Sequence, residues 1–177
     1  SSDLLRSSVG VCGGFAVTRG LGSSSTDTLA GLGPPALATG DRLDVGQRHP
    51  LPDLEDVPPL GRAGDLTLDV IVGPRDDWFT ADAVRRLLES SWEISPASNR
   101  IGVRLSGPTL DRTRSEELPS EPCIRGSIQV AADGQPIVFG PDHPVTGGYP
   151  VIAVVVDAHT DLLAQARPGQ AVRFRRR

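Results

Sequence analysis

The residues best suited to chemistry gather in one stretch of the chain. Between Gly126 and Gly140, Ile128 and Val130, then Ile137 and Phe139, alternate with other residues on either side of Asp133-Gly134, which predicts a β-hairpin. The hairpin carries two amides, Gln129 and Gln135, and its second arm leads into Thr146-Gly147-Gly148-Tyr149-Pro150. An amide side chain offers a donor and an acceptor without charge. Glycine lets backbone N–H groups approach a ligand closely. Such a set suits a small polar molecule bearing an amide or a carboxylate. On pattern alone the plainer reading is favoured, a hairpin with a polar solvent side and glycine-rich turns.

Several further elements must hold that hairpin in place. Leu66–Val72 reads as a strand ended by Gly73-Pro74, and Thr80 as the N-cap of a helix whose Val84, Leu87 and Leu88 share a face. Trp92–Ser95 and Val103–Leu105 read as short strands. Val151–Val156 is an unbroken apolar run, expected of a strand buried on both faces. Asp157 is expected to cap a short helix, and Ala171–Phe174 to form a last strand. Residues 109–121 are polar and charged and read as a solvated loop. Upstream, Ser8–Cys12 and Gly40–Gly46 read as strands. Pro50, Pro52, Pro58 and Pro59 mark residues 47–64 as a linker or surface crossing. The expected organisation is an N-terminal β segment over 1–52, part of a lobe begun upstream, and a mainly β barrel with two short helices over 65–177. Gly31-Leu32-Gly33-Pro34-Pro35-Ala36 has the spacing of a dinucleotide fingerprint, but two prolines stand where its helix must run.

Composition narrows the function. The chain has 177 residues, 38% hydrophobic and 4% aromatic, and a net charge of −4. That balance does not suit a general nucleic-acid binder, and no apolar run is long enough for a membrane span. Cys12 and Cys123 are too few for a disulfide framework or a zinc quartet, so a cytoplasmic protein with reduced thiols is expected. His49, His143 and His159 lack metal-ligand spacing, and no metal is expected. All 18 basic residues are arginine. The chain therefore has no phosphate-loop lysine, Schiff-base lysine or carrier-attachment lysine.

Longer motifs carry a resemblance. Ser98-Asn99-Arg100-Ile101-Gly102-Val103-Arg104-Leu105-Ser106-Gly107-Pro108 resembles a signature of the family of 5-oxoprolinase C subunits, also known as allophanate hydrolase subunit 2 or the carboxyltransferase A/B family. Gly126–Val130, Gly134–Ile137, Thr146–Pro150, Gly13-Gly14, the Leu21–Asp27 loop and Leu37–Asp41 look like its other signatures. Ser24 stands where the family has arginine, and Pro122-Cys123 where it has a small flexible pair. The family's chains extend well upstream, so this chain resembles their C-terminal part.

The resemblance implies a cyclophilin-like β-barrel and ATP-dependent opening of 5-oxoproline to glutamate. It also implies two partners, a smaller related B-like subunit of 5-oxoprolinase and a larger enzyme's A-like subunit, with ATP used by the assembled complex and no cofactor bound by this chain. Opening a cyclic amide that carries a carboxylate requires an anion site, stabilisation of an oxyanion and handling of a proton. Arg100 is the expected carboxylate clamp and Glu121 the proton-transfer group, with Gln129 and Gln135 completing the catalytic set. Asn99, Ser127, Thr146, Gly147, Gly148 and Tyr149 are the expected substrate-binding residues. Asn99-Arg100, Gln129, Gln135 and Thr146–Tyr149 are expected to converge on one pocket at an end of the barrel. Ser127 lacks a histidine and an aspartate nearby in sequence, so a serine hydrolase is not favoured. Two alternatives stay open: a carboxyltransferase domain of the urea carboxylase or allophanate hydrolase type, and a non-catalytic regulatory binding module.

Overall fold

The computed structural model describes residues 9–27, 30–47 and 64–177, so most of the 47–64 linker reading lies outside the described residues. Among them the chain divides into one unit within Ser7–Pro58 and a second running from Gly64 to Arg177.

The second unit is a closed seven-stranded barrel with a two-stranded ribbon on its outside. In chain order the elements are β1 (Leu66–Val72), α1 (Ala81–Glu89), β2 (Trp92–Ile94), β3 (Gly102–Ser106), β4 (Glu121–Pro122), β5 (Ser127–Val130), β6 (Pro136–Phe139), β7 (Thr146–Gly147), β8 (Val151–Val155), α2 (Asp157–Thr160) and β9 (Ala171–Arg176). Around the barrel the order is β1-β8-β5-β6-β3-β2-β9. Neighbours are antiparallel except β9, which closes the barrel parallel to β1. Closure leaves no unpaired strand edge in the barrel wall.

Alternation fills the interior. Leu68, Val70, Ile94, Leu105, Ile128, Val130, Val138, Val155, Val172 and Phe174 are buried in a single core. Each such side chain contributes roughly 1.5–3 kcal/mol relative to exposure. Helix α1 closes one part of that core with Ala83 and Leu87. Thr80 Oγ1 accepts from Ala83 N at 3.0 Å, as an N-cap should, and Trp92 Nε1 donates to the Leu87 carbonyl at 3.1 Å.

The central hairpin forms as expected, with Gly134 at φ 74° in its turn. Its second arm faces the other way, however. Ile128 pairs with Val138, and Val138 enters the core while the half-buried Ile137 pairs with Gln129. All four residues of β5 are buried, although only Ile128 and Val130 join the core cluster. The outer side of β5 is covered by the β4–β7 ribbon. A register shift between β5 and β8 at Ile128/Gln129 sets the bend there.

Other expectations change. Asp157 is the first residue of α2, whose N-cap is Val156, and α2 passes directly into a 3-10 turn at Asp161–Gln165. The 109–121 stretch is not merely solvated. Leu110 and Leu118 are buried, and Thr80 N, Leu110 N and Thr113 N bond to Asp111, Gly134 and Trp78 carbonyls.

In the first unit no strand forms over the described residues of Ser8–Cys12 or over Gly40–Gly46. Val45 makes an isolated bridge with Phe15, and Val9 is largely exposed. A strand needs a continuous partner, and this unit supplies single bridges between turns at Gly20/Ser23 and Asp27/Leu32. No helix runs through Gly31–Ala36, in keeping with its prolines.

Candidate functional site

The site is built on the outer face of β5. Gln129 projects away from the core and is 5% exposed beneath the ribbon. Its Nε2 donates to the Tyr149 carbonyl at 2.9 Å and lies 3.8 Å from the Cys123 sulfur. Gly147 passes over it so closely that an added Cβ would collide with Gln129 Nε2 and stand 3.0 Å from Cys123 Sγ. Gly147 pairs with Glu121 and Thr146 with Pro122, while Cys123 N donates to Val145 O at 2.9 Å. Ser127 Oγ accepts from Ile124 N at 3.3 Å, holding the approach to β5.

Charge enters at two places. Arg75 grips Glu121 with Nε at 2.8 and 3.0 Å from its two oxygens, and Nη2 completes the clasp. That hydrogen bonding, with the charge of Arg75, holds the Glu121 carboxyl below its usual range despite opposing desolvation. Glu121 is thus held ionised, with its basicity reduced. Burial, and secondarily the Glu121 charge, pushes the Cys123 thiol up, so it stays protonated at neutral pH.

The second charge is Arg112. Its guanidinium carbon lies 5.6 Å from the centre of the Tyr149 ring, and Nη2 donates to the Val130 carbonyl. Its backbone is fixed by a bridge to Phe79. Sequence reasoning placed Arg112 in a solvated loop. Its burial comes from Tyr149 and β5, which no local pattern announces.

Glu121, Ser127, Gln129, Thr146, Gly147, Gly148 and Tyr149 therefore share one region. Gln135 sits beside it. Its side chain accepts from Gly107 N at 2.9 Å and donates to Gly107 O at 3.2 Å, so it anchors the start of the loop that carries Arg112. Asn99 and Arg100 lie elsewhere. Arg100 is beside Gly140, at the far end of β6 from Gln135, about 16 Å along an extended chain. It clasps Asp142 through Nε at 2.8 Å and Nη2 at 3.0 Å and is two-thirds exposed. Asn99 Oδ1 accepts from Ile101 N and Gly102 N at 2.9 and 3.1 Å, closing its own turn. A single pocket holding both Arg100 and Gln135 is not formed.

The other unit contains an open cavity of about 520 Å³, walled by loops that include Arg19, Pro34, Arg42 and Asp44. None of the sequence candidates lines it. Among the described residues no His/Cys/Asp/Glu group is arranged to hold a metal ion, and no helix is long and apolar enough to cross a membrane.

A barrel of this topology, with amide, glycine and arginine groups on its outer wall, finds its counterpart among known proteins. Residues 2–176 match the carboxyltransferase domain, subdomain A and B, and the chain belongs to that family. It is 36% identical to the C subunit of 5-oxoprolinase from Escherichia coli (strain K12), over 96% of this chain and 56% of that protein. It is 34% identical to the C subunit of 5-oxoprolinase from Haemophilus influenzae, over 93% of this chain and 53% of that protein. The chain thus spans about half the length of these curated relatives. The crystal structure of the K. lactis urea amidolyase superposes with a TM-score of 0.74 at 28% identity, covering 92% of this chain and 11% of that one.

Proposed function

We propose that this chain contributes to a 5-oxoprolinase-type complex, which opens 5-oxoproline to glutamate at the expense of ATP. The observation that carries this reading is the 36% identity to a 5-oxoprolinase C subunit over nearly the whole chain, against 28% for a urea amidolyase of similar fold. The site's chemistry agrees. A lactam offers one N–H and one carbonyl, which an uncharged amide such as Gln129 and the N–H groups around Gly147 and Gly148 complement. N–H donors held rigidly at a carbonyl oxygen also stabilise the negative charge that develops there when the ring opens. Glu121 acts in this account as a fixed carboxylate that takes up a proton only when Arg75 loosens.

The chain has no lysine, so the ATP chemistry is assigned to the partners, a smaller B-like subunit related in fold and an A-like subunit. This part of the family is assigned to the cytoplasm, where its substrate would be met.

A second reading rests on the fold match to the urea amidolyase: a carboxyltransferase domain served by a biotin carrier on another chain. One reconstitution separates the two. The chain is combined with its A-like and B-like partners and assayed for glutamate release from 5-oxoproline with ATP, and in parallel for urea carboxylation with ATP, bicarbonate and a biotinylated carrier. Glutamate release that requires this chain is expected. Carboxylation of urea without glutamate release overturns the assignment, and the absence of both activities favours a binding module.

A further inference from the structure

We infer that Arg112, with Tyr149 as its wall, is the receiving cation for a single carboxylate on a small ligand. The inference deepens the reading above and shares its site.

Three observations carry it. First, Arg112 is partly stripped of water without being paired. Burial lowers its proton affinity, and only Tyr149 and Asp133 oppose that. Arg75, Arg100 and Arg125 each hold a carboxylate, but no carboxylate of the described residues stands within ion-pair distance of Arg112. A desolvated cation lacking its counter-ion is unfavourable in the empty site and gains most when an anion arrives. Second, its donors are under-used. Nη2 has the Val130 carbonyl, while Nε is enclosed and has no acceptor. A guanidinium presents its donors as a planar fork that matches a carboxylate. Third, the group is fixed from both sides. The Phe79 bridge and the Gln135–Gly107 contact hold its loop, and the Tyr149 ring stacks on its plane. Tyr149 is 46% exposed and forms the wall that yields as a ligand enters.

The ligand class follows from the charge inventory. One unpaired cation suits a monoanion. The next arginine, Arg75, is already neutralised by Glu121, so a phosphate group would find only half of its charge matched. Beside Arg112 the site presents the uncharged Gln129 amide. A carboxylate attached to a neutral amide matches both halves.

The test follows the Arg112 Nε–H resonance in ¹⁵N-arginine-labelled chain while propionate, propionamide, 5-oxoproline or 2-pyrrolidinone is added. The two carboxylates are expected to shift this resonance saturably, and the two neutral isosteres to leave it in place. Arg112→Gln is expected to weaken 5-oxoproline binding about ten- to hundredfold, with Arg85→Gln, an exposed helix residue, binding as wild type. An unmoved resonance, or equal shifts with the neutral compounds, overturns the inference in the wild-type protein, whatever the variant's folding. Carboxylate-dependent shifts in a chain whose complex does not turn over 5-oxoproline leave the anion site standing and defeat the oxoprolinase reading. Turnover of 5-oxoproline with unchanged KM in an Arg112→Gln complex does the reverse.

Discussion

At the scale of single residues, Gly147 and Cys123 show how tightly Gln129 is held. Any side chain at 147 meets Gln129 Nε2 and the Cys123 sulfur, so Gly147→Ala must push the ribbon off β5. The expected cost is about 1–3 kcal/mol in urea unfolding, as for other overpacked sites. Cys123 reports the same enclosure chemically. Its raised pKa means that thiolate is scarce at pH 8, so alkylation by iodoacetamide, followed on the Cys123 peptide, should be much slower in the folded chain than in urea. Equal rates would show that the ribbon does not seal the site. Arg112 is the residue that sequence reading passed over. Its neighbours in the chain are polar, and its environment is set by Tyr149, far away in sequence, so local composition suggested solvent. Arg100 was easier to notice, sitting in a recognisable motif, but its two-pronged contact goes to Asp142.

At the scale of elements, the hairpin, β8 and α1 were legible because each has a strong local cause: Asp133-Gly134 at a turn, a continuous apolar run, and a threonine cap that does accept from Ala83 N. The facing of β6 was not. Pro136 and Val138 are as apolar as Ile137 and Phe139, so alternation alone describes either register, and the choice is made by pairing of Ile128 with Val138. The ribbon β4–β7 was also hidden, since two residues per strand carry no period. Its attachment depends on the Arg75–Glu121 clasp. Because the folded pKa of Glu121 is depressed, the clasp contributes stability that is complete above the unfolded carboxyl pKa, about 4.3. That contribution declines as pH falls below about 4.3 and is lost once the folded carboxyl protonates. Amide exchange around Gly147 should therefore accelerate between about pH 5 and 3, and Arg75→Gln should abolish that acid-side change. Gln135 acts on an element as well. Gln135→Ala releases both backbone groups of Gly107 and loosens the loop ahead of Arg112. In the assembled complex KM for 5-oxoproline should rise severalfold, with a stability loss below about 1.5 kcal/mol; unchanged KM would show that the loop does not position the site.

At the scale of the whole molecule, the barrel is a closed wall whose working face lies outside, under a thin ribbon. The interior is spent on packing, so ligand chemistry has to be arranged on that outer face and shared with whatever covers it. Division of labour follows from composition. A chain without lysine is expected to show no micromolar ATP affinity by calorimetry when isolated, and the nucleotide chemistry falls to the partners. The most direct measurement of the central claim follows ¹³C-labelled 5-oxoproline in the reconstituted complex, with wild-type chain and with Gln129→Leu, a substitution that keeps the bulk at 129 but removes its donor and acceptor. The account predicts ATP-dependent labelled glutamate with the wild-type chain, and turnover reduced at least about tenfold with Gln129→Leu while the complex still assembles. Undiminished glutamate release from the Gln129→Leu complex would contradict it.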